Sequence, residues 1–99
     1  MKFLVIQWLK PDLSLEMQAK LIPAQIKYLD DRVSKGKVEK LYHLIGQQGT
    51  VMVCDVESEE DLSRLISKDP LFFHSRRRIY PLITPEAHKQ LIREALAGQ

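Results

Sequence analysis

The sequence predicts an α+β fold in which two main helices cover an antiparallel four-stranded sheet and a further helix follows at the C-terminus. Residues 3–9 and 51–54 are apolar at every position but one, which is typical of strands buried on both faces. Over residues 15–33 apolar side chains recur at three- and four-residue steps, which indicates an amphipathic helix. With the remaining segments, the order is strand, helix, strand, strand, helix, strand, the ferredoxin-like βαββαβ arrangement. Its first and third strands lie in the centre of the sheet, and these are the two apolar segments.

The first strand is followed by a helix predicted from Asp12 or Ser14 to about residue 35. Either side chain has an oxygen that accepts a backbone N–H of the first turn, and Gly36 suits the left-handed conformation just after a helix end. Pro23 removes one helical hydrogen bond at a cost of ~3 kcal/mol, so we expect a kink or a restart there, within one bent helix. The apolar face of this helix is expected to comprise Leu15, Ala19, Ile22, Ile26, Leu29 and Val33.

The next two strands are predicted to form a hairpin. Residues 38–45 and 50–56 have strand-like composition, and the glycine-bounded turn at residues 46–49 joins them. A fourth strand is predicted over residues 72–82, so that the sheet has four strands.

Two further helices have recognisable ends. Ser58 and Asp61 have the spacing of a capping box, and Asp69-Pro70 ends the helix that they begin. The sequence Thr84-Pro85-Glu86 has a capping residue, a proline at the first helical position and an acid, and Gly98 closes the last helix.

The two main helices can cover one face of the predicted sheet. The other face would present Trp8 or its neighbours, with apolar residues of the third strand, to water. At ~25 cal/mol per Å², leaving ~500 Å² exposed would forgo ~12 kcal/mol, comparable to the stability of a domain. We therefore predict a homo-oligomer, a dimer packed sheet to sheet or a higher assembly of dimers. The last helix is an alternative cover, in its own subunit or in a neighbour.

Composition excludes several functional classes. The 99 residues fit a single domain, residues 1–99, and the net charge of +2 does not favour a nucleic-acid partner. Nothing approaches the ~18 apolar residues that cross a bilayer, so no membrane partner is expected. The single cysteine, Cys54, indicates a reducing compartment, and we expect a cytoplasmic protein.

No metal site or cofactor is predicted. His43, His74 and His88 come from three elements without the spacing of a ligand pair, and Cys54 has no thiol partner. There is no glycine-rich phosphate loop and no GxSxG motif.

Several short matches, in register, relate this chain to a known family. They are Gly36, Leu41-Tyr42 with Gly46, Val53-Cys54-Asp55-Val56-Glu57-Ser58, Leu62 and Pro70-Leu71-Phe72. On these residues the sequence resembles the muconolactone isomerase family from about residue 15 to residue 81. The resemblance implies a dimeric α+β barrel of ferredoxin-like subunits and a role in aromatic compound catabolism.

The resemblance also implies a reaction, the movement of a double bond in an unsaturated lactone acid. Such chemistry needs a base, donors aimed at the developing oxyanion and a cation for the substrate carboxylate. Two segments depart from the family pattern: Pro23-Ala24-Gln25 has no carboxylate in the middle of the first helix, and Arg76-Arg77-Arg78 replaces acidic residues on the fourth strand.

His43 and Tyr42 are the candidate catalytic residues. Imidazole is the natural proton shuttle near neutral pH, and Tyr42 matches an aromatic position of the family and could donate a hydrogen bond. The alternatives are a packing histidine, since Leu41 and Ile45 share its predicted face, and a core aromatic.

The candidate substrate-binding residues fall into two groups. His74, Arg76, Arg78 and Tyr80 alternate along one face of the fourth strand, where the arginines could clamp a carboxylate or, alternatively, form a solvated edge. Gln25 and Tyr28 on the first helix could line a cavity between helix and sheet with Trp8, which could equally be a core residue.

The leading functional hypothesis is a cofactor-free isomerase acting on a small lactone or enolisable carboxylic acid in an intersubunit cleft. His43 would be the acid/base, Arg76 and Arg78 the anion anchors, and Tyr42 and Tyr28 the pocket donors. Whether the chain is an enzyme stays open at this point. The alternatives are a non-catalytic small-molecule-binding or structural oligomer, and a cofactor-independent oxygenase of the dimeric barrel group.

Overall fold

The computed structural model describes residues 1–98, and within them it has a four-stranded antiparallel sheet and three α-helices. The strands are β1 (Lys2–Leu9), β2 (Val38–His43), β3 (Gly49–Asp55) and β4 (Ser75–Leu82), and the helices are α1 (Leu15–Ser34), α2 (Glu59–Ser67) and α3 (Pro85–Ala97). The spatial order β2-β3-β1-β4 places β1 and β3 in the centre. The predicted ferredoxin-like fold with an extra C-terminal helix is confirmed.

The core lies between α1, α2 and one face of the sheet. Alternate residues of the central strands point into it, and Val5 of β1 stands opposite Met52 of β3 and Ile79 of β4. Val5, Met52 and Leu29 of α1 are at most 1% exposed. The buried cluster comprises Phe3, Val5, Leu29, Val38, Met52, Cys54, Val56, Leu62, Leu65 and Ile66.

The opposite face of the sheet has no covering layer within the described residues, and we call it the open face. Leu4, Ile6 and Trp8 of β1 and Val51 and Val53 of β3 are half-buried there by their strand neighbours. Helix α3 does not cover it, because every described residue of α3 is exposed and the molecule extends to 58 Å along its longest axis. The uncovered apolar face that the sequence predicted is present.

The predicted helix ends are confirmed. Ser14, Ser58 and Thr84 each accept a hydrogen bond on the side-chain oxygen from the backbone N–H three residues later, at 3.2, 3.1 and 3.1 Å. Gly36, with φ of 76°, follows α1 in the left-handed conformation that a side chain disfavours.

Helix α1 is continuous from Leu15 to Ser34. The prediction of one helix across Pro23 is therefore confirmed, and of the two alternatives, a kink or a restart, the restart is not observed. Pro23 lacks the N–H that would bond the carbonyl of Ala19, and both residues are exposed. Water can therefore solvate the carbonyl that the proline leaves free, and the helix continues.

The buried face of α1 also differs from the prediction. Leu15, Ile26 and Val33 are 82%, 45% and 41% exposed, whereas Gln25 is buried. Helix α1 is rotated so that its apolar stripe does not fully face the core. The Gln25 amide faces inward instead, since it donates to a buried carboxylate. Apolar periodicity alone cannot predict that a polar side chain is buried by such a hydrogen-bond partner.

The fourth strand begins later than predicted. A 3-10 turn (Phe72–His74) precedes β4, in which the backbone N–H of His74 donates to the carbonyl of Leu71 at 3.0 Å. His74 therefore lies before the strand and does not continue the row formed by Arg76, Arg78 and Tyr80. The second strand ends at His43, two residues early, and Ile45 is fully exposed.

Candidate active site

A cavity of about 90 Å³ lies between α1 and the end of the sheet where β1 and β2 finish and β3 begins, and we call it the helix–sheet cavity. Gly49 forms part of its wall, and a Cβ atom there would come within 2.6 Å of the Gln7 carbonyl oxygen. Its polar lining residues are Gln7, Gln25, His43, Gln48, Thr50 and Ser75. Its apolar lining residues are Trp8, Leu9, Ile22, Ile26 and Leu71.

His43 is the single residue with a titratable side chain among those that line this cavity. It is the last residue of β2 and stands directly opposite Thr50 of β3. His43 is exposed and Thr50 is buried, so the imidazole lies at the mouth of the cavity and the hydroxyl deeper. Imidazole can accept and return a proton near neutral pH.

Asp69, in the segment after α2, organises the amides behind the cavity. Its carboxylate is buried and accepts hydrogen bonds from Gln25 Nε2 at 3.0 Å, from Gln7 Nε2 at 3.3 Å and from the backbone N–H of Leu71 at 2.8 Å. A carboxylate only accepts, so both amide groups turn their NH₂ toward Asp69. The orientation of Gln25 and Gln7 in the cavity wall is therefore fixed.

Thr50 and Arg77 extend this network across the sheet. Gln7 Nε2 also approaches Thr50 Oγ1 at 3.3 Å, and Arg77 Nε donates to Gln7 Oε1 at 3.3 Å. The guanidinium of Arg77 stacks over the Phe72 ring at 4.7 Å and donates to the Phe72 carbonyl. Burial lowers the pKa of Arg77, and the nearby negative charge of Asp69 opposes that shift.

The predicted site residues are divided between different parts of the molecule. The helix–sheet cavity brings together His43, Gln25 and Trp8. Trp8 pairs with Arg76 across the sheet, and Arg76 itself does not line the cavity. Tyr42 is 64% exposed, and Arg78 is also exposed on β4. Neither residue lines this cavity.

Tyr28 and His74 lie outside the cavity as well. The Tyr28 hydroxyl donates to the carbonyl of Leu65 at 2.6 Å, which ties α1 to α2, and burial raises the pKa of the phenol. His74 is half-buried in the 3-10 turn, where its carbonyl accepts from the backbone N–H of Lys10 at 2.8 Å.

Sequence reasoning missed Thr50, Gln7 and Asp69. Gln7 carried a signal, since it interrupts the otherwise apolar run of β1. Asp69 was interpreted only as the end of a helix. Among residues 1–98 no cluster of His, Cys, Asp and Glu could hold a metal ion, and no helix is long and apolar enough to cross a membrane.

Comparisons with known proteins agree with this architecture. A family model described as muconolactone delta-isomerase matches residues 1–88. The crystal structure of a muconolactone isomerase superposes with a TM-score of 0.75 at 23% identity, covering 86% of this chain and 92% of that one. A search of curated protein sequences found no significant match.

A second solved structure has a similar fold. It is 5-chloro-2-hydroxyhydroquinone dehydrochlorinase from Burkholderia phenoliruptrix, in complex with 2,5-dihydroxybenzoquinone. The TM-score is 0.70 at 17% identity, covering 88% of this chain and 98% of that one. At these sequence identities the two structures establish the fold of this chain but not its reaction.

Proposed function

Since the chain belongs to the muconolactone delta-isomerase family, we propose that it is a cofactor-free enzyme that moves a double bond in a small unsaturated lactone or enolisable carboxylic acid. The observation that carries the proposal is that His43 is the single titratable residue lining the helix–sheet cavity. The names of the two similar structures, a lactone isomerase and an enzyme bound to a dihydroxybenzoquinone, support a small ring compound as substrate.

In the proposed reaction His43 removes a proton from the carbon next to a carbonyl group. The electron pair of that C–H bond becomes part of a dienolate, and the protonated imidazole returns a proton further along the conjugated system. The double bond moves, and no electron or atom is gained or lost. The base and the acid are the same side chain at successive moments.

Thr50 is the proposed donor to the enolate oxygen. Its Oγ1 accepts from Gln7 Nε2, so its own O–H proton remains for a substrate oxygen in the cavity. The hydroxyl is buried opposite His43, where a hydrogen bond to developing negative charge is strong because water is excluded. Gln25, held by Asp69, forms a fixed polar wall beside it.

The anchor for a substrate carboxylate is proposed at the mouth of the cavity. The residues that line the cavity include no cation, and Arg76 lies next to Trp8 on β4, with Arg78 one step further along the open face. A carboxylate that projects past Trp8 would meet Arg76 first. Tyr42 and Tyr28 have no part in this proposal, because the cavity does not include them.

Two measurements test the role of His43. We expect His43→Ala to lower kcat/KM for muconolactone isomerisation, followed by ultraviolet absorbance, by roughly 10²–10⁴-fold. It should also abolish exchange of the substrate C–H proton in D₂O, followed by NMR. His88→Ala, on the exposed helix α3, is the matched control and should keep full activity. Full turnover in His43→Ala would remove histidine from the mechanism.

A second candidate function is ligand binding without turnover. The residues that line the cavity include no carboxylate, and Asp69 behind them is already occupied by two amides and a backbone N–H. Saturable thermal stabilisation by lactone acids, without isomerisation or proton exchange in the wild-type protein, would favour this function over catalysis.

A further inference from the structure

A second cavity, of about 150 Å³, lies at the opposite end of α1, and we call it the basic cavity. Tyr28 and Arg32 from the last turns of α1 form one wall, and α2 forms the other. Val56 and Leu65 give it an apolar floor. Because the helix–sheet cavity uses Ile22, Gln25 and Ile26 of α1, no residue is shared between the two cavities.

Four cationic side chains line the basic cavity, and they come from three separate segments. Arg32 belongs to α1, Lys37 follows the Gly36 turn, and Arg64 and Lys68 lie at the end of α2. The lining includes one carboxylate, Asp61, which is bound to Arg64 at 2.6 Å. The surplus of positive charge favours an anion.

Arg32 gives a second and independent indication of an anion-binding site. Its Nε atom is buried and has no hydrogen-bond partner among the described residues, although a buried N–H of this kind is rarely left unsatisfied. Its guanidinium is held over the Tyr28 ring at 4.8 Å, and one terminal nitrogen lies 3.5 Å from Asp31. The side chain is thus fixed in the wall of the basic cavity.

Helix dipoles account for only part of this pattern. Cations in the last turn of a helix are stabilised by its C-terminal carbonyl groups, which suits Arg32 and Arg64. That interaction needs neither a cavity nor Lys37, which lies beyond the end of α1. It also leaves Arg32 Nε unsatisfied.

We propose that the basic cavity binds a small multivalent oxyanion, of which inorganic phosphate is the simplest, at a site separate from the helix–sheet cavity. The anion accepts hydrogen bonds from Arg32 and receives charge from the lysines on either side. By bridging α1 and α2 it stabilises the native state by RT ln(1 + L/Kd), where L is the free anion concentration. This stabilisation grows with the logarithm of the anion concentration once the site is mostly filled.

The test is an NMR titration of the ¹⁵N-labelled protein with sodium phosphate, against sodium chloride at matched ionic strength. We expect saturable shifts at the amides of Arg32, Lys37, Arg64 and Lys68 that chloride does not produce. Succinate distinguishes a general dianion site, which would bind both, from a site for tetrahedral oxyanions. Either result supports the proposal.

Charge-removing variants make the titration decisive. Lys68→Met and Arg32→Met should each weaken phosphate binding roughly tenfold, since each removes a charged donor. Arg93→Met, on α3, removes the same charge elsewhere and should leave binding unchanged. Lys68 is exposed, so its variant tests the site even where Arg32→Met fails to fold. Equal shifts with chloride, or wild-type phosphate affinity in Lys68→Met, would overturn the proposal.

Discussion

Asp69 accepts hydrogen bonds from more polar groups than any of the site residues that were predicted from the sequence. Its two carboxylate oxygens accept from Gln7, Gln25 and the backbone of Leu71 in a site that is 5% exposed. Hydrogen bonds to a charged group are stronger than those between neutral groups, and a buried donor that loses its partner costs its full desolvation energy. Asp69 therefore links the stability of the fold to the shape of the cavity wall.

We predict that Asp69→Asn lowers the free energy of unfolding by about 3 kcal/mol, because the new NH₂ group replaces the carboxylate oxygen that accepts from both amide NH₂ groups and removes the buried charge they are bound to. Urea denaturation measures the change. Asp30→Asn, on the exposed side of α1, makes the same substitution and should change stability by less than about 0.5 kcal/mol. Equal stability of the two variants would contradict the role of the network.

Because its thiol is buried, Cys54 is expected to lower the stability of the folded protein at alkaline pH. Burial raises the pKa of its thiol from the ordinary 9.0 to about 11, so the folded state resists ionisation that the unfolded chain permits. The stabilising contribution is complete below pH 9 and is lost as the pH rises toward 11. Between pH 8 and pH 10.5 we predict that the wild type loses about 1–2 kcal/mol more stability than Cys54→Val, by urea denaturation at each pH. An identical loss in both proteins would show that the thiol does not contribute.

At the residue scale the sequence predicted some of the residues that line the helix–sheet cavity, but not the contacts that position them. His43 and Gln25 were selected from residue type and expected element, and both line the helix–sheet cavity. Thr50 and Asp69 were missed because their roles depend on contacts over long sequence separations, such as the 44 positions between Gln25 and Asp69. No local pattern encodes such a contact.

At the scale of elements, local rules predicted ends well and helix rotation poorly. Ser14, Ser58 and Thr84 cap the three helices as expected, since a capping bond depends on four consecutive residues. The rotation of α1 was predicted incorrectly, because four of the six residues of its predicted apolar stripe are exposed, whereas Gln25 is buried and Arg32 half-buried. Ile26, one residue of this exposed stripe, lines the helix–sheet cavity. Apolar periodicity could not predict that the stripe would be exposed.

Replacement of Pro23 in α1 is predicted to stabilise the protein. Because α1 is continuous and Pro23 is exposed, Pro23→Ala restores a helical hydrogen bond without disturbing the core. We expect the free energy of unfolding to rise by about 1–2 kcal/mol, since the helical gain of ~3 kcal/mol is reduced by the greater freedom of the unfolded chain. Urea denaturation measures it, with Ala24→Gly, expected to lose up to ~1 kcal/mol, as the neighbouring control. A loss of stability in Pro23→Ala would indicate that the fold requires a proline-induced bend.

At the scale of the whole molecule, two surfaces have no partner among the described residues. The open face carries apolar side chains in the centre of β1 and β3, with Arg76 and Arg78 beside them on β4. Helix α3 extends away with Leu91 and Leu96 53% and 67% exposed. The sequence anticipated the first surface from strand patterning, but it left open where α3 would lie, because an amphipathic helix does not encode the identity of its partner.

We predict that the open face is an interface between copies of the chain, since exposed apolar surface of this kind is costly in an isolated subunit. Light scattering after size exclusion, at micromolar concentration, should give a dimer or a larger assembly. Val51→Lys places a charge in the centre of the open face and should produce a smaller species, whereas Leu15→Lys, at a position 82% exposed on α1, should not. If the wild type is a stably folded monomer, then the open face is tolerated in water. Arg76 would then have to act on substrate in the single subunit, at a cavity mouth that no second copy completes.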